Sequence, residues 1–282
     1  MPSFAPERWG SLEKFSNFYS GTYKFSESGS RAVTGSINHF HKASILRKLS
    51  SKLAPNLDKD EIELKKNGFS SAINSRELSA VIESVILELY SSLDCSRKII
   101  TEIYSSYQGV PDSTRKFFRN IKEGKIDEKF PEQIKNAVLE ATWYEGFRRI
   151  RDELTHLDAG ACYLDEKTRK IIYIHSGIKN NGKPLIVDDI FDKIDQTFLD
   201  VNRFLGRVFS FLVTQLNDAP IKQFCGIFNA RMYERYVSPH EAVDFNSGIC
   251  KSRSWFELEG NPACIFAKEC GAYRWAIDME NS

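Results

Sequence analysis

Apolar residues recur every three or four positions from Asn74 onward, and this pattern predicts a long amphipathic helix. The recurring positions are Leu78, Val81, Ile82, Val85, Ile86, Leu89 and Leu93. Asn74 followed by Glu77 resembles a capping box, which marks a helix start. Gly109 and Pro111 mark its end, because proline cannot continue a helix and glycine readily adopts the left-handed terminal conformation. We expect this helix to cover residues 74–107.

The same spacing predicts three more helices further along the chain. A short helix covers residues 113–121. The next begins near Pro131, a favourable first-turn residue. Its later half carries an apolar stripe formed by Trp143, Phe147, Ile150, Leu154 and Leu157. A last long helix covers about residues 188–216 and repeats apolar side chains from Ile190 onward.

A two-residue period replaces the helical spacing between the third and fourth of these helices, with Ile171, Tyr173 and His175 alternating with Ile172 and Ile174. Residues 161–164 and 169–175 are predicted to form the arms of a β-hairpin, and Asn181 with Gly182 marks a further turn. Each amphipathic helix must cover its apolar face against another element. Residues 74–216 are therefore predicted to be mainly α, an antiparallel helical bundle with a small β-hairpin insertion.

The segments on either side of this bundle show weaker patterns. Residues 1–73 are rich in serine, glycine, lysine and asparagine and are predicted to be partly irregular, with a short helix within residues 37–53. His39 and His41 would share one face of a strand but not of a helix, so a metal site there needs further ligands that the sequence does not identify. Residues 217–282 are predicted to form a small appended, cysteine-containing module with little regular helix.

The cysteines of the C-terminal module raise the question of a structural zinc. Cys250, Cys264 and Cys270 with Cys225 or His240 would supply four ligands. No two of these cysteines stand two to four residues apart, which is the spacing typical of zinc modules. The alternative is that they are small buried thiols. We expect no bound metal and no cofactor.

Composition and charge restrict the class of protein. The chain has 39 Lys and Arg residues against 38 Asp and Glu residues, a formal net charge of +1. Any nucleic-acid binding must therefore come from a local patch. Six cysteines in 282 residues are too few for a disulfide scaffold. The sequence lacks an apolar run of the length that a signal peptide or membrane span needs, which predicts a soluble cytoplasmic protein without a membrane partner.

The densest chemistry lies in the predicted helix over residues 143–156. Arg151 and His156 are five positions apart, roughly 140° around a helix axis, and both fall away from the apolar stripe. Asp152 precedes His156 by four residues, so its carboxylate is expected to hydrogen-bond one ring nitrogen and fix the tautomer.

Arg148 and Arg149 lie on the same turns of this helix. Both can form ion pairs with acidic residues three or four positions away, namely Glu145, Asp152 and Glu153. An ordinary solvated charged face is therefore the alternative to a functional site.

The segment Arg151-Asp152-Glu153-Leu154-Thr155-His156 resembles the signature of the HEPN superfamily, an arginine followed after four to six residues by a histidine. Asn, Asp or His often follows that arginine directly, as Asp152 does here. The context is similar as well: a long helix with Tyr90-Ser91-Ser92-Leu93-Asp94, a short helix, an aromatic-rich helix ending in the motif, a hairpin and a closing long helix. The resemblance covers residues 74–216 and neither of the flanking segments.

The resemblance implies a HEPN-like bundle and a metal-independent endoribonuclease of toxin or antiviral-defence type. It implies that His156 acts as general acid or base on the ribose 2′-hydroxyl or the leaving oxygen, and that Arg151 stabilises the phosphate charge. Asp152 would orient the pair. The expected products are a 2′,3′-cyclic phosphate and a 5′-hydroxyl.

The resemblance also implies partners. Two copies of the motif meet at a dimer interface in many HEPN proteins, and this chain carries one copy, so we expect a homodimer. Arg148 and Arg149 are expected to line the RNA groove, where their phosphate contacts weaken with salt. A neutralising antitoxin is a further expected partner.

Two other interpretations remain open from the sequence. The first is a non-catalytic HEPN-like module that binds nucleic acid, a nucleotide or a partner protein. The second is a helical protein of unrelated role whose tail is a zinc-stabilised interaction module.

Overall fold

The computed structural model describes residues 10–228, 231–240 and 248–280, and it is mainly helical. The helices are α1 Gly10–Phe18, α2 Glu27–Leu53, α3 Leu57–Asn67, α4 Ile73–Tyr104, α5 Thr114–Lys122, α6 Glu132–Glu140, α7 Tyr144–His156, α8 Ile190–Thr214, α9 Arg253–Phe256 and α10 Gly271–Glu280. The strands are β1 Ala161–Leu164, β2 Ile171–Asn180, β3 Lys183–Val187, β4 Ile221–Phe228, β5 Arg231–Val237 and β6 Ile249–Cys250. The chain divides into two compact units, residues 26–205 and the described residues outside that range.

Helix α4 is the central element of the 26–205 unit, as its apolar spacing predicts. Leu78, Ile82, Val85, Leu89 and Leu93 are all at most 1% exposed. Burying each of these side chains contributes about 1.5 to 3 kcal/mol.

The start of α4 is capped differently from the prediction. Asn74 is not the cap, because Asp60 of α3 accepts hydrogen bonds from the backbone N–H groups of Asn74 and Ser75. The cap is thus supplied by a neighbouring helix, which local spacing cannot reveal.

Helix α2 corrects the prediction for residues 1–73. It is 27 residues long and packs along α4, so the compact unit begins at Ser26 and not at Asn74. The buried face of α2 consists largely of small residues, which give little hydrophobic periodicity but allow close approach. A Cβ atom on Gly35 would lie 2.9 Å from the Sγ of Cys95 on α4.

The histidines of α2 do not share a site. His39 Nδ1 lies 2.7 Å from a carboxylate oxygen of Glu88 on α4. His41 is exposed. His39 and His41 are two positions apart on a helix, so their rings point in different directions.

The helix predicted from Pro131 is in fact two helices. Ala141 has a ψ of 61°, which is not helical, and it interrupts the helix between α6 and α7. The break changes which side chains face the core: Tyr144 is fully buried, whereas Leu157, a predicted core residue, is 77% exposed. Leu157 follows the last residue of α7 and has left helical geometry.

The predicted hairpin is confirmed and extended by a third strand. Strands β1, β2 and β3 form an antiparallel sheet in sequence order, with Ala161 opposite Ile174 and Tyr173 opposite Val187. Asn181 and Gly182 have φ angles of 52° and 79° and connect β2 to β3, as expected for a tight hairpin turn.

The other unit contains α1, the end of α8 and the C-terminal elements. Phe15 of α1 is fully buried, and its ring centroid lies 5.3 Å from that of Phe209. Strands β4, β5 and β6 form a second antiparallel sheet. The segment predicted to hold little regular helix includes the ten-residue α10. Within the described ranges, no helix is both long and apolar enough to cross a membrane.

Candidate functional site

Helix α7 presents its predicted motif to an open cavity of about 530 Å³. Arg151, Asp152 and His156 all line this space, here called the α7 cavity. The remaining lining residues come from α4 and from the segment that enters α5: Tyr90, Asp94, Arg97, Asp112, Ser113, Thr114 and Arg115. The structure thus brings together the three residues for which the sequence predicts chemistry.

Arg151 is held in position from three sides. Its guanidinium carbon lies 4.4 Å from the centroid of the Tyr90 ring, a cation–π geometry. Nη1 lies 3.0 Å from Oδ1 of Asp152, and Nη2 lies 3.7 Å from Oδ2 of Asp94. About 28% of the side chain remains exposed. Arg151 is therefore positioned before any ligand arrives and still accessible to one.

Asp152 orients arginine and not histidine, which corrects the sequence prediction. Its Oδ2 accepts a hydrogen bond from Arg148 and its Oδ1 accepts one from Arg151. His156 is exposed, and its ring makes no hydrogen bond within the described part of the chain. The imidazole is therefore free to contact a ligand with either nitrogen.

The backbone just after His156 is attached to the sheet by a buried histidine. His175 is fully buried, and its Nε2 donates to the carbonyl oxygen of Asp158 over 3.0 Å. Its Nδ1 accepts from the N–H groups of Gly177 and Ile178 at 3.2 and 3.3 Å. These partners require the neutral ring protonated on Nε2. His175 therefore has a structural role and holds the end of α7.

A second attachment runs from the same loop to α4. Glu83 Oε1 accepts from the N–H of Gly160 at 2.6 Å and from the hydroxyl of Tyr173 at 2.8 Å. Gly160 packs tightly here, since a Cβ atom would lie 2.3 Å from the Tyr173 hydroxyl oxygen. Burial and the neighbouring Glu83 raise the pKa of Tyr173, which keeps the hydroxyl a donor. Both attachments place His156 relative to the bundle.

Arg148 and Arg149, which were predicted to line an RNA groove, do not line the α7 cavity. Arg148 is paired with Glu145 as well as Asp152, and its hydrogen bond lowers the pKa of the Glu145 carboxyl. Arg149 donates to the carbonyl oxygen of Lys179 and lines a separate, mostly apolar cavity of about 290 Å³. The charge of Arg148 is thus neutralised locally, and Arg149 does not line the α7 cavity.

Sequence reasoning assigned no role to Tyr90, Asp94 or Arg97. Their spacing of four and then three residues places them on one face of α4. Polar residues that interrupt an otherwise apolar helix face could have indicated these three positions. No sequence feature indicates Arg115, because the position of Arg115 depends on the connection between α4 and α5.

Three cysteines of the C-terminal segment have described side chains: Cys250, Cys264 and Cys270. Burial raises the pKa of Cys250, and the nearby Cys270 and Cys264 add to the increase. Among the described residues, no group of three or more His, Cys, Asp or Glu side chains is arranged to hold a metal ion. His240 donates to a backbone carbonyl. The side chain of Cys225 lies outside the described residues, so the zinc hypothesis that includes it stays a prediction.

Comparisons with known proteins give no assignment. No protein-family model matches the chain, and neither a curated protein nor a solved structure shows significant similarity to it. The resemblance to HEPN proteins therefore depends on the motif residues and their surroundings, and it stays a prediction.

Proposed function

We propose that this chain is a HEPN-like, metal-independent endoribonuclease whose site is the α7 cavity. The observation that carries the proposal is that Arg151, Asp152 and His156 converge on one open cavity. The arginine is held in position there, and the histidine ring forms no hydrogen bond with the described residues. The 26–205 unit supplies the rigid support that such chemistry needs.

His156 acts on protons in the proposed reaction. As general base it takes the proton of a ribose 2′-hydroxyl, whose oxygen then attacks the adjacent phosphorus. The bond from phosphorus to the 5′-oxygen breaks, and an imidazolium returns a proton to that leaving oxygen. The products are a 2′,3′-cyclic phosphate and a 5′-hydroxyl, and no water or metal is consumed.

Arg151 stabilises the negative charge that builds up on the phosphate oxygens. Its planar guanidinium offers two parallel N–H groups and never loses its charge. The Tyr90 ring and Asp152 fix its direction beforehand, which reduces the reorganisation needed at the transition state.

A second copy of the chain completes the proposed site. One imidazole cannot hold both the base and the acid role at the same instant, so two copies of His156 facing each other across a two-fold axis would divide them. The exposure of His156 at the end of α7 suits such docking.

The test is RNA cleavage by the purified full-length chain in EDTA. We expect cleavage with cyclic phosphate ends, detected by mass spectrometry of the fragments. His156→Ala should lower the rate about 100-fold to 10,000-fold, and Arg151→Ala about 100-fold to 1,000-fold.

Matched controls are available on other helices. His41→Ala removes another exposed helical histidine, and Arg76→Ala removes an exposed arginine near the start of α4. Both should leave cleavage and thermal unfolding unchanged. Absence of cleavage by the wild-type chain at every salt and pH tested would reject the nuclease proposal.

A non-catalytic binding module is the second candidate. One observation favours it: Asp94 and Asp152 both lie against Arg151 and compensate its charge, so a phosphate must compete with them. That module would retain RNA or nucleotide binding without any cleavage, and His156→Ala would then leave binding unchanged.

A further inference from the structure

The charged residues of the α7 cavity separate into a paired and an unpaired set. Arg151 is paired with Asp94 and Asp152. Within the described residues, the other three charged side chains that line the cavity form no ion pair within 4.0 Å: Arg97, Arg115 and Asp112. The unpaired set carries one excess positive charge, and the paired set carries one excess negative charge.

Of the two unpaired arginines, Arg97 is the one that is partly removed from solvent, so its uncompensated charge is the less favourable. Its side chain is half-buried, and its Nε is buried with no hydrogen-bond acceptor among the described residues. Burial lowers the pKa of Arg97, whereas the negative charges of Asp94 and Asp112 act in the opposite direction and are outweighed. A desolvated cation without a partner is unfavourable, and a bound anion would supply the missing charge.

Arg115 contributes the second cation from a different helix. It is exposed and lies in the first turn of α5. The residue before it, Thr114, is buried, and its hydroxyl donates to Asp94 of α4. This bond fixes the start of α5 beside α4, so Arg97 and Arg115 border the same cavity as the motif residues.

We infer that Arg97 and Arg115 bind a phosphodiester of an RNA strand in the α7 cavity, the role that the sequence pattern assigns to Arg148 and Arg149. The inference rests on the proposed function, because that function identifies the anion as RNA. Arginine suits this ligand, since its planar fork matches two phosphate oxygens. Asp112 opposes the strand by repulsion and lowers its affinity.

The test measures RNA binding without cleavage. A single-stranded RNA oligonucleotide is titrated with the His156→Ala chain at several salt concentrations. Adding Arg97→Gln or Arg115→Gln should weaken binding about tenfold, equivalent to one charge-assisted contact. Each should also reduce the slope of log affinity against log salt by about 0.7. Asp112→Asn should raise the RNA affinity, because it removes a negative charge that repels the strand.

Two controls separate charge from folding. Arg76→Gln removes an exposed arginine of the same helix, about 30 Å from Arg97 along the axis, and should leave affinity and slope unchanged. Arg97→Lys keeps the charge and should retain the salt slope. Asp112→Asn leaves both arginines in place, so its effect does not depend on how Arg97→Gln folds.

The outcomes distinguish this inference from the nuclease proposal. A wild-type chain that cleaves RNA, with affinity and salt slope unaffected by Arg97→Gln and Arg115→Gln, overturns the inference and leaves the nuclease standing. A chain that never cleaves, but loses RNA affinity in both variants and gains it in Asp112→Asn, supports the inference and rejects the nuclease. A His156→Ala chain without measurable RNA binding at any salt overturns the inference.

Discussion

Replacing Tyr90 by phenylalanine is expected to destabilise the protein while leaving Arg151 in place. The hydroxyl oxygens of Tyr90 and Tyr144 lie 3.0 Å apart in a buried pair, and Tyr144 is also stacked on Phe118 at 3.6 Å. Burial raises the pKa of both tyrosines, so each hydroxyl stays protonated. Tyr90→Phe leaves the Tyr144 hydroxyl buried without a partner, at a cost of about 1 to 3 kcal/mol.

The double replacement of both tyrosines provides the decisive comparison. Tyr90→Phe with Tyr144→Phe removes donor and acceptor together, so no polar group is left buried and unpaired. The double variant should lose no more than about 0.5 to 1.5 kcal/mol, less than the sum of the single variants. Urea unfolding followed by circular dichroism measures the three changes. Strict additivity of the two single losses would refute the buried-pair interpretation.

The same residue separates stability from the proposed activity. Tyr90→Phe keeps the ring under the Arg151 guanidinium and should leave RNA cleavage nearly unchanged. Tyr90→Leu removes the ring, and a cation–π contact of about 0.5 to 2 kcal/mol then corresponds to a rate decrease of about 2-fold to 30-fold. Equal cleavage rates for the two variants would show that the ring does not position Arg151.

Gly160→Ala should lower the thermal midpoint of unfolding, because the new methyl would lie 2.3 Å from the Tyr173 hydroxyl oxygen; an unchanged midpoint would show that the loop has room. The hydrogen bond from Arg148 lowers the folded-state pKa of Glu145. The ionised Glu145 therefore stabilises the fold above the ordinary carboxyl pKa, and this stabilisation is lost as pH falls through the lowered pKa. Glu145→Gln should therefore reduce the acid sensitivity of urea unfolding, and identical profiles would contradict this. Light scattering at micromolar concentration should give the mass of two chains, and a monomer would count against a site shared across a two-fold axis. Metal analysis of the purified protein should find no stoichiometric zinc, and one bound zinc per chain would contradict this expectation.

The parts of the fold that the sequence predicts depend on large apolar side chains. Helix α4 and the hairpin after α7 follow directly from such patterns, with ends within a few residues of those expected. Helix α2 was underestimated because small residues such as Gly29, Ala32 and Ser36 form its buried face. Close packing against α4 gives these positions their importance, and it is a tertiary property.

The sequence predicts those residues of the α7 cavity that lie close together in the chain and misses those that do not. Arg151, Asp152 and His156 lie within six positions of one helix, so their spacing could be interpreted directly. The positions of Arg97 and Arg115 depend on how α4 and α5 meet. Arg149 lines a different cavity from the motif residues, and local charge density does not show which side of α7 faces which cavity.

The two attachments after α7 have a consequence for the conformational entropy of the site. A histidine at the last residue of a helix normally shares the fraying of that helix end. Here the Asp158 carbonyl is held by His175 and the Gly160 N–H by Glu83, two and four residues beyond His156. These two hydrogen bonds are expected to limit fraying of the backbone that carries His156. If the α7 cavity binds a ligand, little further ordering of this backbone would then be needed on binding.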